Sequence, residues 1–297
     1  MKKFIYIAVG IILITSLMPT INYSSPASFL EITIESPEAA PQMLLQAEDV
    51  ISKRLEAYGI TAFETKIHPE EREIDIRFRE ALPAETILPL LTSVGRLEFC
   101  EVYTQPEVFS ILNESAQSEA WKQWVPLNDE TGSHTAVIAT IALEEAPAFG
   151  RFVLDQEVFK TLPANLSFAF SRTPDEDGQA ELYALRYGKG MTPILTGAAV
   201  GHCQAYDDEA TDVASISLTF NEEGSARWAQ ATRKNMHRPI AIVFDGQVCF
   251  APRVMAEIQS GQAQISGDFS SEEARQIAAL IQGGELPAPF RAKAVKP

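Results

Sequence analysis

The sequence predicts an α+β protein in which short strands and helices follow one another along a chain of 297 residues. Three observations indicate this class: strict alternation of apolar and polar residues near one end, several helix-capping patterns, and short apolar runs separated by turn residues near the other end. A hydrophobic content of 46% provides enough material for one large domain or two smaller ones.

Strands and helices alternate in the first third of the chain. Apolar residues alternate with polar ones at 29–35, which predicts a half-buried strand. Ser36 and Pro37 then predict the start of a helix, and Gly59 predicts its end. The elements expected next are strands at 60–67 and 73–80, a helix at 84–93 and a strand at 94–102. This order of elements is that of a ferredoxin-like layer.

The middle of the chain, residues 103–191, gives weaker patterns. Trp121 and Trp124 are three positions apart, and we expect both to anchor a core rather than to bind a ligand. Strand-like runs lie at 136–143, 151–154, 165–171 and 181–187, the last two on either side of a hairpin loop.

Regular patterns return after residue 196. An alternating run at 213–220 predicts a strand, and Asn221 behind it predicts the N-terminus of a helix. Within that helix, Ala226, Ala229 and Met236 predict a narrow apolar stripe facing the core.

Three short strands joined by tight turns are expected between residues 240 and 270. Asp245–Gly246 predicts a two-residue hairpin turn between the first two strands. Ser270 and Glu273 form a capping box for a last helix, which Gly283 and Gly284 end.

The N-terminal end predicts a segment that enters the membrane. Residues 4–21 carry no charge, follow Lys2 and Lys3, and would span about 27 Å as a helix. We favour a retained transmembrane helix that keeps the N-terminus in the cytoplasm and places the main domain outside. A cleaved signal peptide stays open as the alternative, although Ser25-Pro26-Ala27 is a poor cleavage site.

The charge of the chain excludes one class of partner. A formal net charge of −16 argues against nucleic acid, because phosphate binding requires clustered Lys and Arg. The same charge disfavours docking on anionic lipid and is typical of a solvated acidic surface.

The sequence carries no motif for catalysis, a cofactor or a metal. It contains no nucleophile elbow and no glycine loop that would hold phosphate. The four histidines are not spaced as a zinc pair, and the acidic groups lack the spacing of a calcium loop. These histidines are His68, His134, His202 and His237. We therefore expect no catalytic, cofactor-binding or metal-binding residue, and a protein that is not an enzyme.

Three cysteines are an odd number for a disulfide framework. Cys100, Cys203 and Cys249 all lie in apolar surroundings, which favours buried thiols. One disulfide stays open as an alternative if the domain is exported.

The last third of the chain combines several pieces in an order that is typical of one family. Together with 93–99 and 195–198, these pieces resemble the first periplasmic domain of SecD, or of the SecD half of a fused SecDF, an accessory subunit of the Sec translocation channel. The family's spacing is carried by Phe220, Glu223-Gly224, Asp245-Gly246, Ala251-Pro252, Gln264-Ile265, Gly267 and Leu286-Pro287-x-Pro289.

The resemblance implies a two-part domain behind a membrane anchor. The anchor would be residues 1–27, the ferredoxin-like base 28–102 and 270–297, and the inserted α+β head 103–269. In this family the head is expected to hold unfolded preprotein emerging from the channel and to move relative to the base. The implied partners are preprotein, the Sec translocon with a SecF-like subunit, and the cytoplasmic membrane. An anchored extracytoplasmic binding or scaffold module unrelated to Sec export stays open as the alternative.

Two departures from the family qualify this expectation. Residues 103–191 fit the family poorly, and the sequence ends at Pro297, where SecD would enter its second membrane helix. Without the helices that couple to protons, we expect binding to be passive. Val248 and Phe250, on the strand after the Asp245–Gly246 turn, are the residues predicted to contact preprotein by strand addition, with an ordinary core role as the alternative.

Overall fold

The computed structural model describes residues 30–80, 82–127, 135–208, 213–266 and 269–296. The predicted anchor and His134 lie outside these ranges. Within the described residues, no helix is long and apolar enough to cross a membrane.

The first segment has the predicted alternation of strands and helices. Helix α1 begins at Pro41, four residues later than predicted, because the main chain at Ser36 forms a turn. The N–H of Ser36 donates to Arg72 O, and its carbonyl accepts from the N–H of Ala39. The helix ends as predicted at Gly59, whose φ of 104° is a left-handed conformation that glycine adopts without strain. The elements are β1 (Glu31–Glu35), α1 (Pro41–Tyr58), β2 (Phe63–His68), β3 (Glu73–Phe78), α2 (Ala84–Thr92) and β4 (Leu97–Val102).

The middle segment contains more helix than predicted. Residues 151–154, expected to form a strand, belong to helix α5, because Phe149, Phe152 and Val153 together form one apolar helical face. The predicted hairpin is confirmed by the antiparallel pairing of β6 with β7. The elements are α3 (Gln105–Asn113), α4 (Ser118–Trp121), β5 (Val137–Ala142), α5 (Ala146–Leu154), α6 (Gln156–Phe159), β6 (Leu166–Phe170), β7 (Gln179–Arg186) and β8 (Leu195–Thr196).

In the last segment the helix boundaries agree with prediction, but one buried face does not. Asn221 Oδ1 accepts the N–H of Gly224 at 2.8 Å and caps α7. The face of α7 that is buried contains Trp228 and Ala231, whereas the predicted stripe residues Ala226 and Met236 are exposed. The elements are β9 (Val200–Asp208), β10 (Val213–Phe220), α7 (Glu222–Lys234), β11 (Ile240–Phe244), β12 (Gln247–Phe250), β13 (Gln262–Ser266), α8 (Ser271–Gly283) and β14 (Arg291–Lys296).

A four-stranded sheet has the order β14-β1-β3-β2. Strand β1 pairs antiparallel with both neighbours, and Ile32 lies opposite Ile76. The prediction that β4 completes this sheet is wrong, because β14 occupies the position beside β1. Alternating Leu97 and Phe99 predicted a strand correctly, but alternation does not identify the sheet that a strand joins.

A seven-stranded sheet has the order β12-β11-β4-β7-β5, with β6 paired to β7 and β8 paired to β4. A parallel bridge between Ser171 and Val248 links the end of β6 to β12, so the pairings β12-β11-β4-β7-β6 close into a ring. Side chains from these strands form one buried cluster that includes Cys100, Val243 and Val248.

A third sheet has the order β13-β10-β9. The last of the three strands predicted between 240 and 270 is therefore not part of the hairpin's sheet. The expected tight turn between β12 and β13 is also wrong, since residues 251–261 separate them. Pro252 lies in this connection and has no N–H to extend a ladder.

The described residues divide into two compact units. The first contains Glu98–Ala199 and Phe220–Ile265, and the second contains the described residues of 30–97, 200–219 and 266–296. In the second unit, α1 packs on β2 and β3 of the four-stranded sheet, and α8 packs against α1 and β9. Leu44, Ile51 and Ile277 are buried in this unit.

Helices α3–α6 cover a second apolar core of the first unit. Trp121 is fully buried there and packs edge-on against Phe152, with ring centroids 4.8 Å apart. Trp124 packs against Phe149 in the same cluster, at 5.5 Å. The predicted role of both tryptophans as core anchors is confirmed.

Candidate functional site

An open pocket of about 350 Å³ lies in the first unit. Four parts of the chain form it: the start of β5, the middle of β7, the residue before β11, and the end of β12 with the main chain that follows it. Its size is within the range of binding sites for small ligands or a few residues of polypeptide. The lining residues are Thr135, Ala136, Val137, Glu181, Tyr183, Pro239, Phe250, Ala251 and Arg253.

The β11–β12 hairpin positions one side of the pocket. Phe244 pairs with Gln247, so the loop contains two residues, Asp245 and Gly246. Their φ angles of 48° and 81° are both left-handed, as a type I′ turn requires. The predicted tight turn is confirmed, and it sets the pairing between β11 and β12 next to the loop.

The two residues predicted to contact preprotein have different surroundings. Phe250 lines the pocket, and 40% of the residue is exposed. Val248 is only 2% exposed and belongs to the buried cluster of the ring of strands. A main-chain bridge joins Val248 to Ser171, and the burial of its side chain favours the alternative of an ordinary core role. Preprotein contact at Phe250 stays a prediction.

Two polar groups of the pocket, Tyr183 and Glu181, contact each other. Its hydroxyl donates to Glu181 on the same strand. Burial, followed by the hydrogen bond and the charge of Glu181, raises the pKa of Tyr183 above that of a free tyrosine. The phenol therefore stays neutral at physiological pH, and Tyr183 contributes to the pocket lining an aromatic ring whose hydroxyl is hydrogen-bonded.

An ion-pair cluster supports the region beside the pocket. Glu107 accepts from Arg238 at 2.8 Å and from Arg186 at 3.0 Å, and Arg238 directly precedes Pro239 of the pocket wall. Burial by itself would raise the pKa of Glu107, but the bonds from Arg238, from the Thr104 N–H and from Arg186 outweigh it and lower the pKa to about 2. Glu107 is therefore ionised at neutral pH and fixes α3 to β7.

The cysteines lack the features of reactive groups. All three are free thiols, so the structure contains no disulfide among them. Burial raises the pKa of Cys203 to about 12 and that of Cys100 as well. A thiol must ionise to act as a nucleophile, and these two remain protonated.

Among the described residues, no group of three or more His, Cys, Asp or Glu side chains could hold a metal ion. His68 instead lies 2.8 Å from Asp75, which also accepts from Thr33. These groups lie on the four-stranded sheet, whereas the pocket belongs to the first unit.

Sequence reasoning identified one of the nine pocket residues, Phe250. It predicted the strands that carry Val137 and Tyr183, but their approach to the hairpin depends on pairings between residues far apart in sequence. The sequence does carry a signal for Ala251, because Ala251-Pro252 belongs to the spacing typical of the family and Pro252 indicates where the ladder becomes irregular.

Comparisons with known proteins match this part of the chain. Residues 171–288 match the family model described as the P1 head subdomain of SecDF. The chain is 26% identical to protein translocase subunit SecD of Rhodothermus marinus over 310 residues, and 28% identical to protein translocase subunit SecDF of Thermus thermophilus over 269 residues. These alignments cover 91% and 90% of this chain, but 49% and 29% of the relatives.

Two solved structures have a similar fold. One, described as a membrane component SecDF that enhances protein export, has a TM-score of 0.55 and 24% identity, covering 90% of this chain and 99% of that one. The other is a crystal structure of SecDF in the super-membrane-facing form, with a TM-score of 0.56, 24% identity, and coverage of 90% and 30%. At this identity the likeness shows a shared mixed α/β fold.

Proposed function

Because this chain is a SecD/SecDF periplasmic domain, we propose that it assists protein translocation by binding preprotein outside the cytoplasmic membrane. The observation that carries the proposal is the open pocket beside the exposed Phe250. Six of its lining residues, from Glu181 to Arg253, fall within the segment that matches the SecDF head model. The proposed occupant is an unfolded polypeptide segment.

Binding of this kind would assist export without chemistry. A segment held in the pocket must dissociate before the chain can slide back, so backsliding would cost the binding free energy. For a Kd between 1 mM and 1 μM this cost is about 4 to 8 kcal/mol. The chain would act as a passive ratchet, and any energy input would come from other parts of the translocation machinery.

Catalysis is not part of the proposal. Tyr183 is held neutral by burial and by Glu181, and the thiols of Cys100 and Cys203 are protonated. Six of the nine residues that line the pocket are apolar or aromatic, which suits binding rather than bond breaking.

The proposal includes a division into base and head. The order β14-β1-β3-β2, with α1 after β1 and α8 before β14, supports a ferredoxin-like base at 28–102 and 270–297. The head would be the inserted residues 103–269, of which 200–219 belong to the same compact unit as the base. The position of β4 in the seven-stranded sheet favours moving the first boundary to Leu97. The proposed partners are the Sec translocon, a SecF-like subunit and the cytoplasmic membrane, with residues 1–27 as the single anchor.

Site-specific photocrosslinking tests the proposal. A photoreactive amino acid at position 250 should form adducts with a preprotein stalled during export. The matched control is position 45, because Leu45 is an apolar residue on α1 that is even more exposed, at 62%. Adducts at 250 and not at 45 are expected. Equal yields at both positions, or none at 250, would favour a scaffold module without a Sec role.

A further inference from the structure

One carboxylate in the pocket has no cationic partner. Glu181 lies on β7 and lines the pocket together with Tyr183, two positions further along the same face of the strand. Its side chain accepts the hydroxyl of Tyr183, a neutral donor. In the part of the chain that the structure describes, no Lys, Arg or His nitrogen forms an ion pair with Glu181. The other charged residue of the lining, Arg253, interacts with another group and does not neutralise this carboxylate.

Hydrogen bonds hold Glu181 in place. Ser171 N–H donates to Glu181 O at 2.8 Å, and Glu181 N–H donates to Ser171 Oγ at 3.0 Å. On the other side of β7, Thr140 of β5 lies opposite Glu181. Because the main chain is fixed on both sides and Tyr183 holds the carboxylate, the side chain has little conformational entropy left to lose when it binds a ligand.

The rest of the lining suits a long side chain with a charged end. Phe250 presents a partly exposed aromatic ring, and Val137, Pro239 and Ala251 add apolar surface. Lysine and arginine side chains have an apolar stem and a cationic head. The stem can cover apolar surface while the head contacts a carboxylate or an aromatic ring. The pocket offers both kinds of contact within about 350 Å³.

We propose that the pocket contains a subsite for one basic side chain, an inference that rests on the proposed function. The preferred occupant is a polypeptide segment in which an Arg or Lys is flanked by apolar residues. Its cationic head would pair with Glu181, and its stem and apolar neighbours would contact Phe250 and Val137. The formal net charge of −16 favours the same class of ligand, because the field of an acidic protein attracts cationic segments.

Peptides that differ in one side chain test the subsite. The probe is a fluorescent nine-residue peptide of Leu, Thr and Ala with one central Arg, and fluorescence anisotropy measures its affinity for the full chain. In the matched peptide citrulline replaces Arg, which keeps the shape and removes the charge. We expect the Arg peptide to bind about threefold to tenfold more tightly, as one ion pair with an aromatic contact provides.

Variants distinguish the subsite from general attraction to an acidic protein. Glu181→Gln should remove the difference between the two peptides, because the neutral amide can still accept from Tyr183 but pairs with no cation. Glu176→Gln is the matched control, since it removes the same charge from an exposed position outside the pocket lining, and the difference should persist. Glu181→Lys should reverse the preference in favour of a peptide with a central Glu, which a misfolded variant would not do.

The outcomes separate this inference from the proposed function. Equal affinities of the Arg and citrulline peptides, or equal effects of Glu181→Gln and Glu176→Gln, would overturn the basic subsite. Failure of the Arg peptide to bind would overturn it as well. Binding of the citrulline peptide, or adducts at position 250, would still leave preprotein binding intact. Absence of both peptide binding and adducts would overturn both.

Discussion

The side chain of Arg54 is fully buried and binds main-chain carbonyls of two other segments. Its guanidinium donates to Leu90 O, Ser93 O and Val94 O at the end of α2, at 2.7 to 3.1 Å. It also donates to Gly284 O, just after α8. Helix C-termini leave carbonyls without partners, and a planar cation can satisfy several of them at once.

Replacing this cation should cost stability. Arg54→Met would leave several buried carbonyls without a donor, and we expect a loss of about 3 to 5 kcal/mol in the free energy of unfolding. Arg54→Lys should recover little, because an ammonium cannot reproduce the planar fork. Urea denaturation measures both, with Lys53→Met as the control on the exposed side of the same helix. A loss no larger than in the control would contradict the proposed role of Arg54.

At the scale of single elements, helix α8 shows how local signals set a boundary. Ser270 Oγ accepts the N–H of Glu273, and the Glu273 carboxylate accepts from the Ser270 N–H at 3.0 Å. Both residues were predicted as a capping box from sequence alone.

Removal of the cap should weaken the helix. Ser270→Ala loses one half of the box and is expected to lower the free energy of unfolding by about 1 kcal/mol. Thermal or urea denaturation measures this loss. Ser271→Ala is the control, because the neighbouring hydroxyl takes no part in the cap; similar losses in the two variants would argue against the capping role.

The close approach of α8 to α1 depends on a residue without a side chain. A Cβ atom at Gly283 would lie 2.8 Å from the main-chain nitrogen of Arg54, nearer than a carbon and a nitrogen can approach. Gly283→Ala should therefore force the helices apart and lower the free energy of unfolding by about 1 to 3 kcal/mol. Arg275→Ala, on an exposed part of α8, serves as the control in the same denaturation series. A gain in stability from Gly283→Ala would contradict this packing.

At the scale of the whole molecule, stability should fall in acid. The folded pKa of Glu107 is about 2, below the value of about 4.3 for an unfolded glutamate. The pKa of Asp75 is lowered as well. Burial by itself would raise this pKa, but the hydrogen bonds with Thr33 and His68 outweigh burial. An unfolded chain then binds more protons than the folded one, so the stabilising contribution is complete above about pH 4.3 and is lost as the pH falls towards 2.

A variant measures how much Glu107 contributes to the loss of stability in acid. The side chain is about one third exposed, so solvent screening reduces its expected contribution to about 1 kcal/mol. Glu107→Gln should be less stable than the parent at pH 7, and the difference should shrink by pH 2. Urea denaturation at both pH values tests this, with the exposed Glu119→Gln as control. A difference that does not change with pH would contradict the assignment.

Much of the local structure was predictable because its causes are local. Alternation predicted β1 and β3, and Gly59 predicted the end of α1. Asn221 and Ser270 predicted the starts of α7 and α8, and Asp245–Gly246 predicted the hairpin turn. Each depends on a few neighbouring residues and on fixed rules of backbone geometry. The prediction for 151–154 failed because a run of three apolar residues, 152–154, fits a strand and a buried helix face equally well.

The sequence by itself determined most of the helices and strands, their caps, the acidic charge and the resemblance to SecD and SecDF. Only the tertiary structure decided that β14 takes the place predicted for β4, that Val248 is buried while Phe250 is exposed, and that four segments far apart in sequence line an open pocket. The physical reason is that a strand's alternation specifies two faces but not its neighbours. Those neighbours are selected by the free energy of packing the whole chain.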